Sequence, residues 1–326
     1  MSKKNSVLIT GVAGFVGFSL AIKLLKNRIN VIGIDSINNY YDINLKKKRL
    51  KKLKKFNNFY FLRDNLQNKK KILSSLRKFN IKKIFHVAAQ AGVRHSITNP
   101  EDYVKNNLIA FFNILEVSKE IKIKHLIFCS TSGVYGCAKK KKLSENLSIS
   151  KPIQFYAATK SSNEIMAYSY SNLFKLPISI ARLFTVYGPW GRPDMALYIF
   201  TKNILSNKKI ELFNYGNHNR SFTYIDDVVR GLDMISRKIP KSKIPYETFN
   251  LSSGQNIKLT KMIEILEKVL NKKAKIKFKN LQVGDIKNSI ANISKLKKIH
   301  KFKPQVTFEE GIKNFVRWYK RFYKIN

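Results

Sequence analysis

The chain has 326 residues, with 63 lysines and arginines against 20 acidic residues, a formal net charge of +43, and 44% hydrophobic and 12% aromatic content. That much apolar side chain excludes a disordered polymer and can bury a large core, as two lobes or as one domain with a substantial extension. Two cysteines, Cys129 and Cys137, exclude a disulfide scaffold and a four-cysteine metal site; no metal is expected, and the reducing cytoplasm is the natural compartment.

Lys3 and Lys4 ahead of the apolar run from Val7 to Ile22 imitate a secretory leader, but Gly11, Gly14 and Gly17 interrupt the run and Lys23 resumes a helical pattern. The segment therefore reads as a strand, Val7-Leu8-Ile9-Thr10, a glycine turn, and a helix to about Lys26. Such a turn lets backbone N–H groups and a helix N-terminus receive a pyrophosphate, with Gly11, Gly14, Phe15, Val16 and Gly17 as the candidate contacts. The next strand, Val31–Ile34, ends in Asp35, placed to accept both ribose hydroxyls of an adenosine and to repel a 2′-phosphate. NAD is thus expected over NADP.

Lysines crowd into Lys46–Lys55, Lys69–Lys71 and Lys139–Lys142. In the first run Leu50, Leu53 and Phe56 keep helical spacing, which assigns the lysines to a solvated outer face. A nucleic-acid or anionic-membrane partner is the competing explanation. It is not favoured, because no aromatic residues interleave with the basic ones to stack bases.

Further strands follow: Phe59–Leu62, ending at Asp64 where an adenine contact is expected, and Lys83–Val87, running into the small residues Ala88 and Ala89, then Gln90, beneath a cofactor. A helix near Lys70–Lys78 separates them, and another is expected from about Glu101 to Glu120. The buried run Leu126–Cys129 ends in Ser130, Thr131 and Ser132, whose hydroxyls could hold a substrate oxygen. Tyr156 and Lys160 lie four apart on a helix and share a face, so the ammonium is expected to lower the phenol pKa and make Tyr156 an acid/base. After the strand Ile178–Leu183 the texture changes, with Gly188-Pro189, Gly191 and Pro193 breaking the pattern before a final amphipathic helix at Phe308–Tyr323. Repeated strand–helix units predict an α/β fold, a Rossmann-type doubly wound parallel sheet over residues 1–183. A smaller mixed substrate lobe is expected over 184–326, some of its segments returning to the sheet.

Together, Gly11–Gly17, Asp35, His86-Val87-Ala88-Ala89-Gln90, Thr131 and the Tyr156/Lys160 pair resemble the extended short-chain dehydrogenase/reductase family over essentially the full chain. Within it, Gln90-Ala91-Gly92-Val93-Arg94, the run from Phe184 to Ala196, Arg220–Asp227 and Gln282-Val283-Gly284-Asp285 are similar to UDP-glucuronate 4-epimerases. The resemblance implies a UDP-sugar substrate, a 4-keto intermediate and Tyr156 exchanging the C4 hydroxyl proton. Lys160 would bind the nicotinamide ribose, Thr131 and Ser132 the C4 oxygen, and Arg192 the C6 carboxylate. Arg94 and Thr185 would touch substrate, Arg220 the diphosphate, Phe213 the uracil and Asp285 the uridine ribose. A homodimer through the Glu101–Glu120 segment and the Tyr156 helix is implied as well.

Gly133, Ser221 and Asn65 depart from the residues usual in that group. Gly133 also stands where nucleotide-sugar dehydratases and decarboxylases carry a glutamate after the catalytic threonine, which argues against both. UDP-glucose and UDP-N-acetylhexosamine 4-epimerases are the nearest alternative, and a catalytically idle NAD-binding regulator is a more distant one.

Overall fold

Leu8 and Ile9 of the first strand are wholly buried although they point to opposite faces, so helices must cover this strand on both sides. The computed structural model describes residues 5–138 and 140–325; Lys3, Lys4 and Lys139 of the basic runs lie outside the described residues. In chain order the main layer holds β1 (Asn5–Thr10), α1 (Phe15–Lys26), β2 (Asn30–Asp35), α2 (Ile43–Leu53), β3 (Phe59–Arg63), α3 (Lys69–Leu76) and β4 (Asn80–His86). Two single helical turns follow, α4 (His95–Thr98) and α5 (Pro100–Tyr103), then a π-helical stretch Val104–Ile109, α6 (Ala110–Glu120), β5 (His125–Thr131), α7 (Phe155–Phe174) and β6 (Ile178–Leu183).

The strands form a seven-stranded sheet whose order is 3-2-1-4-5-6 with β11 (Tyr246–Leu251) at the far edge, and every pairing is parallel. The order reverses between β1 and β4, and ligands of open parallel sheets bind in the crevice beyond such a point. Val7 and Ile9 join one core with α1, while Leu8 joins the other with Phe111 and Phe128.

One expectation needs refinement. The helix foreseen over Glu101–Glu120 is broken by the π-helical stretch, where Asn107 turns inward and pairs with both backbone groups of Gln90. The sheet continues beyond residue 183, with β11 pairing with β6 along its whole length.

The remaining elements are β7 (Thr185–Tyr187), α8 (Ala196–Leu205), β8 (Lys209–Phe213), β9 (Asn219–Arg220), β10 (Phe222–Tyr224), α9 (Ile225–Arg237), β12 (Ile257–Lys258), α10 (Leu259–Leu270), β13 (Lys275–Lys279), β14 (Asn288–Ser289), α11 (Ser294–His300) and α12 (Phe308–Tyr323). Of these, α9 packs against α1, β5 and β6. Three small sheets, β7 with β10, β9 between β12 and β14, and β8 with β13, make the mixed part of the molecule. Thr307 caps α12 by accepting from the Glu310 N–H, and the buried face of that helix, Ile312, Phe315 and Tyr319, closes the core. No helix among the described residues is long and apolar enough to cross a membrane.

Candidate functional site

The turn after β1 is pressed flat against the end of β4. Gly11 has φ +70°, and a Cβ there would lie 2.8 Å from the Ala88 Cα; one on Gly17 would lie 2.2 Å from the Gly11 carbonyl oxygen. Thr10 sets this approach: its hydroxyl meets His86 Nδ1 at 2.9 Å and accepts from the Val87 and Ala88 N–H groups at 3.2 Å. Gly14, at the N-cap of α1, supplies no side-chain cap, so the first N–H groups of the helix, at Phe15 and Val16, are open to an anion. Asp35 leans over the turn, accepting from Ala13 N–H at 2.9 Å and Ile37 N–H at 2.8 Å. Burial pushes its carboxyl up from the ordinary value, and those two bonds together with Lys46 and Arg49 oppose the shift.

Asp64 ends β3's turn in an ion pair with Lys71 at 3.0 Å. Asn65 continues the turn by accepting from Gln67 N–H at 3.0 Å, which accounts for a polar residue there. Ala89 follows Ala88 in the chain, and the buried Gln90 has an amide nitrogen with no hydrogen-bond partner. A turn that only glycine fits, an uncapped helix start, a carboxylate on the second strand and an unpaired buried amide donor together fit a dinucleotide.

Tyr156 and Lys160 share a face of α7, but their chemistry differs from the expectation. The Lys160 ammonium points into β5, donating to the Cys129 carbonyl at 2.9 Å above the Phe128 ring, and burial pushes it down to about 8. The Tyr156 phenol is pushed up by burial to about 12, and the cation that opposes this is Arg192, not Lys160. A strand carbonyl competes for the ammonium, so i,i+4 spacing alone does not bring the two groups together. Tyr103 packs edge-on against Tyr156 with ring centroids 6.0 Å apart.

Thr131 closes β5 and accepts from Gly133 N–H at 3.2 Å, while Ser132 Oγ accepts from Ser289 Oγ at 3.2 Å. A Cβ on Gly133 would lie 3.2 Å from the Ala157 Cβ, so a glycine lets this turn sit tight on the start of α7. Arg192 comes in from the loop after β7. Its guanidinium grips Asp194 through two bonds, Nε–Oδ1 at 3.0 Å and Nη2–Oδ2 at 2.5 Å, with the Tyr40 hydroxyl on the same carboxylate at 3.4 Å. Burial works against this cation, but Asp194 more than offsets it and holds the arginine above its ordinary range.

The smaller sheets gather the remaining candidates. Arg94 lies over the Phe213 ring with its guanidinium carbon 4.8 Å from the centroid and donates to Gln282. Arg220 donates to the Lys287 carbonyl at 2.9 Å, and Asp285 is close enough to favour its charge. His218 Nε2 stands 3.8 Å from the Asp285 carboxylate. Thr185 is tied to Ser221, its N–H donating to the Ser221 carbonyl at 3.2 Å. The Ser221 hydroxyl donates to Gln255 and accepts from Ala291 N–H, so a buried serine is fully satisfied where the group usually has aspartate.

Several residues at the site escaped the sequence. The lysines of the first run were assigned to a solvated face, yet Lys46 is 5% exposed and donates to Asn38, and Arg49 beside them is 0% exposed and donates to the Ala13 carbonyl. Their spacing from Leu45, Leu50 and Leu53 was the available signal, since all five fall on one side of α2. Asn107 links Gln90 to the Thr159 hydroxyl on α7, and Glu164 on the same helix holds Arg182 and the Ser130 hydroxyl. These two networks tie α7 to the ends of β4, β5 and β6.

A parallel sheet with a glycine turn at its switch point, an acid ending its second strand, and a tyrosine–lysine helix beside it define a dinucleotide-dependent short-chain dehydrogenase/reductase. The family model described as GDP-mannose 4,6 dehydratase matches residues 8–315, and the chain belongs to that family, part of the extended short-chain dehydrogenase/reductases. A UDP-glucuronate 4-epimerase from Thermodesulfobacterium geofontis is 41% identical, covering 96% of this chain and 95% of the relative. Protein CapI of Staphylococcus aureus is 42% identical over 98% of this chain and 99% of its own. The crystal structure of UDP-glucuronic acid 4-epimerase from Bacillus cereus with UDP-glucuronic acid and NAD superposes with a TM-score of 0.91 at 34% identity, covering 98% of this chain and 100% of that one.

Proposed function

We propose that this chain is an NAD-dependent UDP-sugar 4-epimerase that interconverts UDP-glucuronate and UDP-galacturonate. The observation that carries the choice of sugar is the Arg192 guanidinium, held by Asp194 at 2.5 Å and over the Tyr40 ring at 5.8 Å, with its charge opposing the upward shift of the Tyr156 phenol. In a glucuronate the C4 hydroxyl and the C6 carboxylate are borne by neighbouring ring carbons, C4 and C5, so an acid/base and a guanidinium that influence each other match both groups at once. The planar fork of arginine suits a carboxylate better than a lysine would. The names and bound molecules of the related epimerases support the same reading.

In this reading Gly11, Gly14, Phe15, Val16, Gly17, Asp35, Asp64, Ala88, Ala89, Gln90 and Lys160 hold NAD. When bound, NAD+ accepts a hydride from C4 and returns it, so no external reductant is consumed. Tyr156 takes the C4 hydroxyl proton on its phenolic oxygen and gives it back to the opposite epimer, while the 4-keto sugar turns about its diphosphate link. Thr131 and Ser132 hold the C4 oxygen, and Thr185 touches the sugar. Arg220 and Arg94 face the diphosphate, with Phe213 against uracil and Asp285 at the uridine ribose. Ser132-Gly133 offers no carboxylate after Thr131, so this chain lacks the extra acid/base that dehydration would use. Residues 1–183 serve mainly the cofactor and 184–326 mainly the sugar nucleotide. The same reading puts the enzyme in the cytoplasm, supplying a uronate donor for surface polysaccharide.

Incubation with UDP-glucuronate, UDP-glucose and UDP-N-acetylglucosamine, with products read by NMR, tests the proposal. Galacturonate should form fastest; turnover of only the neutral sugars would move the assignment to a UDP-hexose 4-epimerase. For the cofactor, NAD+ should bind far better than NADP+, because the Asp35 carboxylate meets a 2′-phosphate with like charge. Equal affinities in a fluorescence titration would remove Asp35 from the ribose site.

A homodimer is part of the proposal. Phe112 on α6 and Ile165, Leu173 and Phe174 on α7 are 45–66% exposed, an apolar face on two neighbouring helices. Ile165→Lys combined with Leu173→Glu should halve the sedimenting mass. A wild-type protein that already sediments as a monomer would refute the pairing.

A further inference from the structure

Arg49 is a fully buried cation with no ion pair among the described residues, and its hydrogen bonds join two loops, the glycine turn and the loop after β7, with a further bond to Tyr41 in the loop before α2. On one side Nη1 donates to the Ala13 carbonyl at 2.9 Å, inside the glycine turn, and to the Tyr41 hydroxyl at 2.7 Å. On the other, Nη2 donates to the Trp190 carbonyl at 2.5 Å and meets the Gly191 carbonyl at 3.4 Å. Ala13 is therefore held at both ends of its residue, its N–H by Asp35 and its carbonyl by Arg49. Burial disfavours the charge on Arg49, and the guanidinium stays where Tyr41 and Asp35 oppose that penalty.

The second loop carries Arg192 two residues beyond Trp190. Trp190 has φ +64°, a left-handed conformation that a bulky residue keeps only where its surroundings hold it. The Trp190 ring rests on Phe18 of α1 at 5.4 Å and on Trp318 of α12 at 5.5 Å, so the same loop also leans on the helix that the glycine turn begins. A planar fork with several fixed donors can bond both loops at once, whereas a lysine ammonium on a flexible stem offers one point.

We propose that Arg49 is a positioning residue that couples the glycine turn to the Arg192 loop, holding the dinucleotide cradle and the carboxylate contact in one register. Its consequence for the sugar rests on the UDP-glucuronate reading; the coupling of the two loops does not.

The test uses the purified full chain with Arg49→Lys and Arg49→Met. Amide hydrogen exchange is followed in 11–17 and 188–195, with α7 as internal reference, and kcat/KM is measured on UDP-glucuronate and UDP-glucose. Arg49→Lys should fold, speed exchange in both loops but not in α7, and lower the preference for UDP-glucuronate by roughly 2- to 30-fold. Arg49→Met should do the same more strongly, and if it fails to fold the lysine variant alone decides. Unchanged exchange in 188–195 overturns the proposal, and so does a rise spread evenly over all segments with both sugars equally impaired, which marks general stability. A wild type inactive on UDP-glucuronate defeats the functional reading, while the exchange measurement still decides the coupling.

Discussion

Tyr156→Phe is expected to keep the fold and the cofactor while losing about 10²–10⁴-fold in turnover. Among the described residues no hydrogen bond ends on the Tyr156 phenol, so removing the oxygen breaks no structural bond, and the edge-on contact with Tyr103 survives in phenylalanine. On the proposed function, what goes is the group that exchanges the C4 proton. The sign of its pH dependence follows from the site. Burial pushes the phenol up to about 12 and Arg192 pulls the other way, so the protonated form dominates at neutral pH and turnover should climb as pH rises. That climb should vanish in the phenylalanine variant. Circular dichroism and the content of bound NAD serve as controls, and near-normal epimerisation with both intact would take Tyr156 out of the chemistry.

Much of this site was legible because its polar groups follow apolar runs. Thr10, Asp35, Asp64 and Thr131 each stand at or just past the end of a strand on the same edge of the sheet, and alternation of strands with helices is a local signal. What could not be read depends on partners distant in sequence. Arg49 looks like one more cation in a lysine run until the carbonyls of Ala13 and Trp190 come to it, and they lie 36 and 141 residues away along the chain. The orientation of Lys160 is decided by the Cys129 carbonyl, which helical spacing does not know about. The place of β11 at the sheet edge is a pairing with β6 across an intervening lobe, and no periodicity within its six residues announces it. Asn107 reads as a polar break in an amphipathic helix, and only the π-helical turn brings its amide onto Gln90.

Arg192→Leu should lower kcat/KM on UDP-glucuronate by about 10- to 150-fold, the worth of a desolvated charge-assisted pair of about 1.5–3 kcal/mol. The structure adds a reason for the loss to be at the upper end. Asp194 now neutralises Arg192, and without that guanidinium its carboxylate faces the substrate carboxylate with like charge. Arg192→Leu with Asp194→Asn should therefore recover part of the loss on UDP-glucuronate but not on UDP-glucose, whereas relief of an unpaired structural carboxylate would raise both sugars equally. The single variant also deprives Tyr156 of the cation that favours its ionised form, so the pH dependence of kcat should move to higher pH for either sugar. That effect is shared and cancels in the ratio, leaving UDP-glucose relatively spared because it carries no carboxylate. A second consequence comes from the intermediate. Oxidised at C4, glucuronate is a β-keto acid, and a carboxylate no longer held by Arg192 is free to rotate into the orientation from which the bond to C6 breaks. Carbon dioxide and a 4-keto pentose nucleotide should then appear in the mass spectrum of the leucine variant. Equal impairment on both sugars, with no pentose, would make Arg192 structural and reduce the assignment to a UDP-sugar 4-epimerase of undefined sugar.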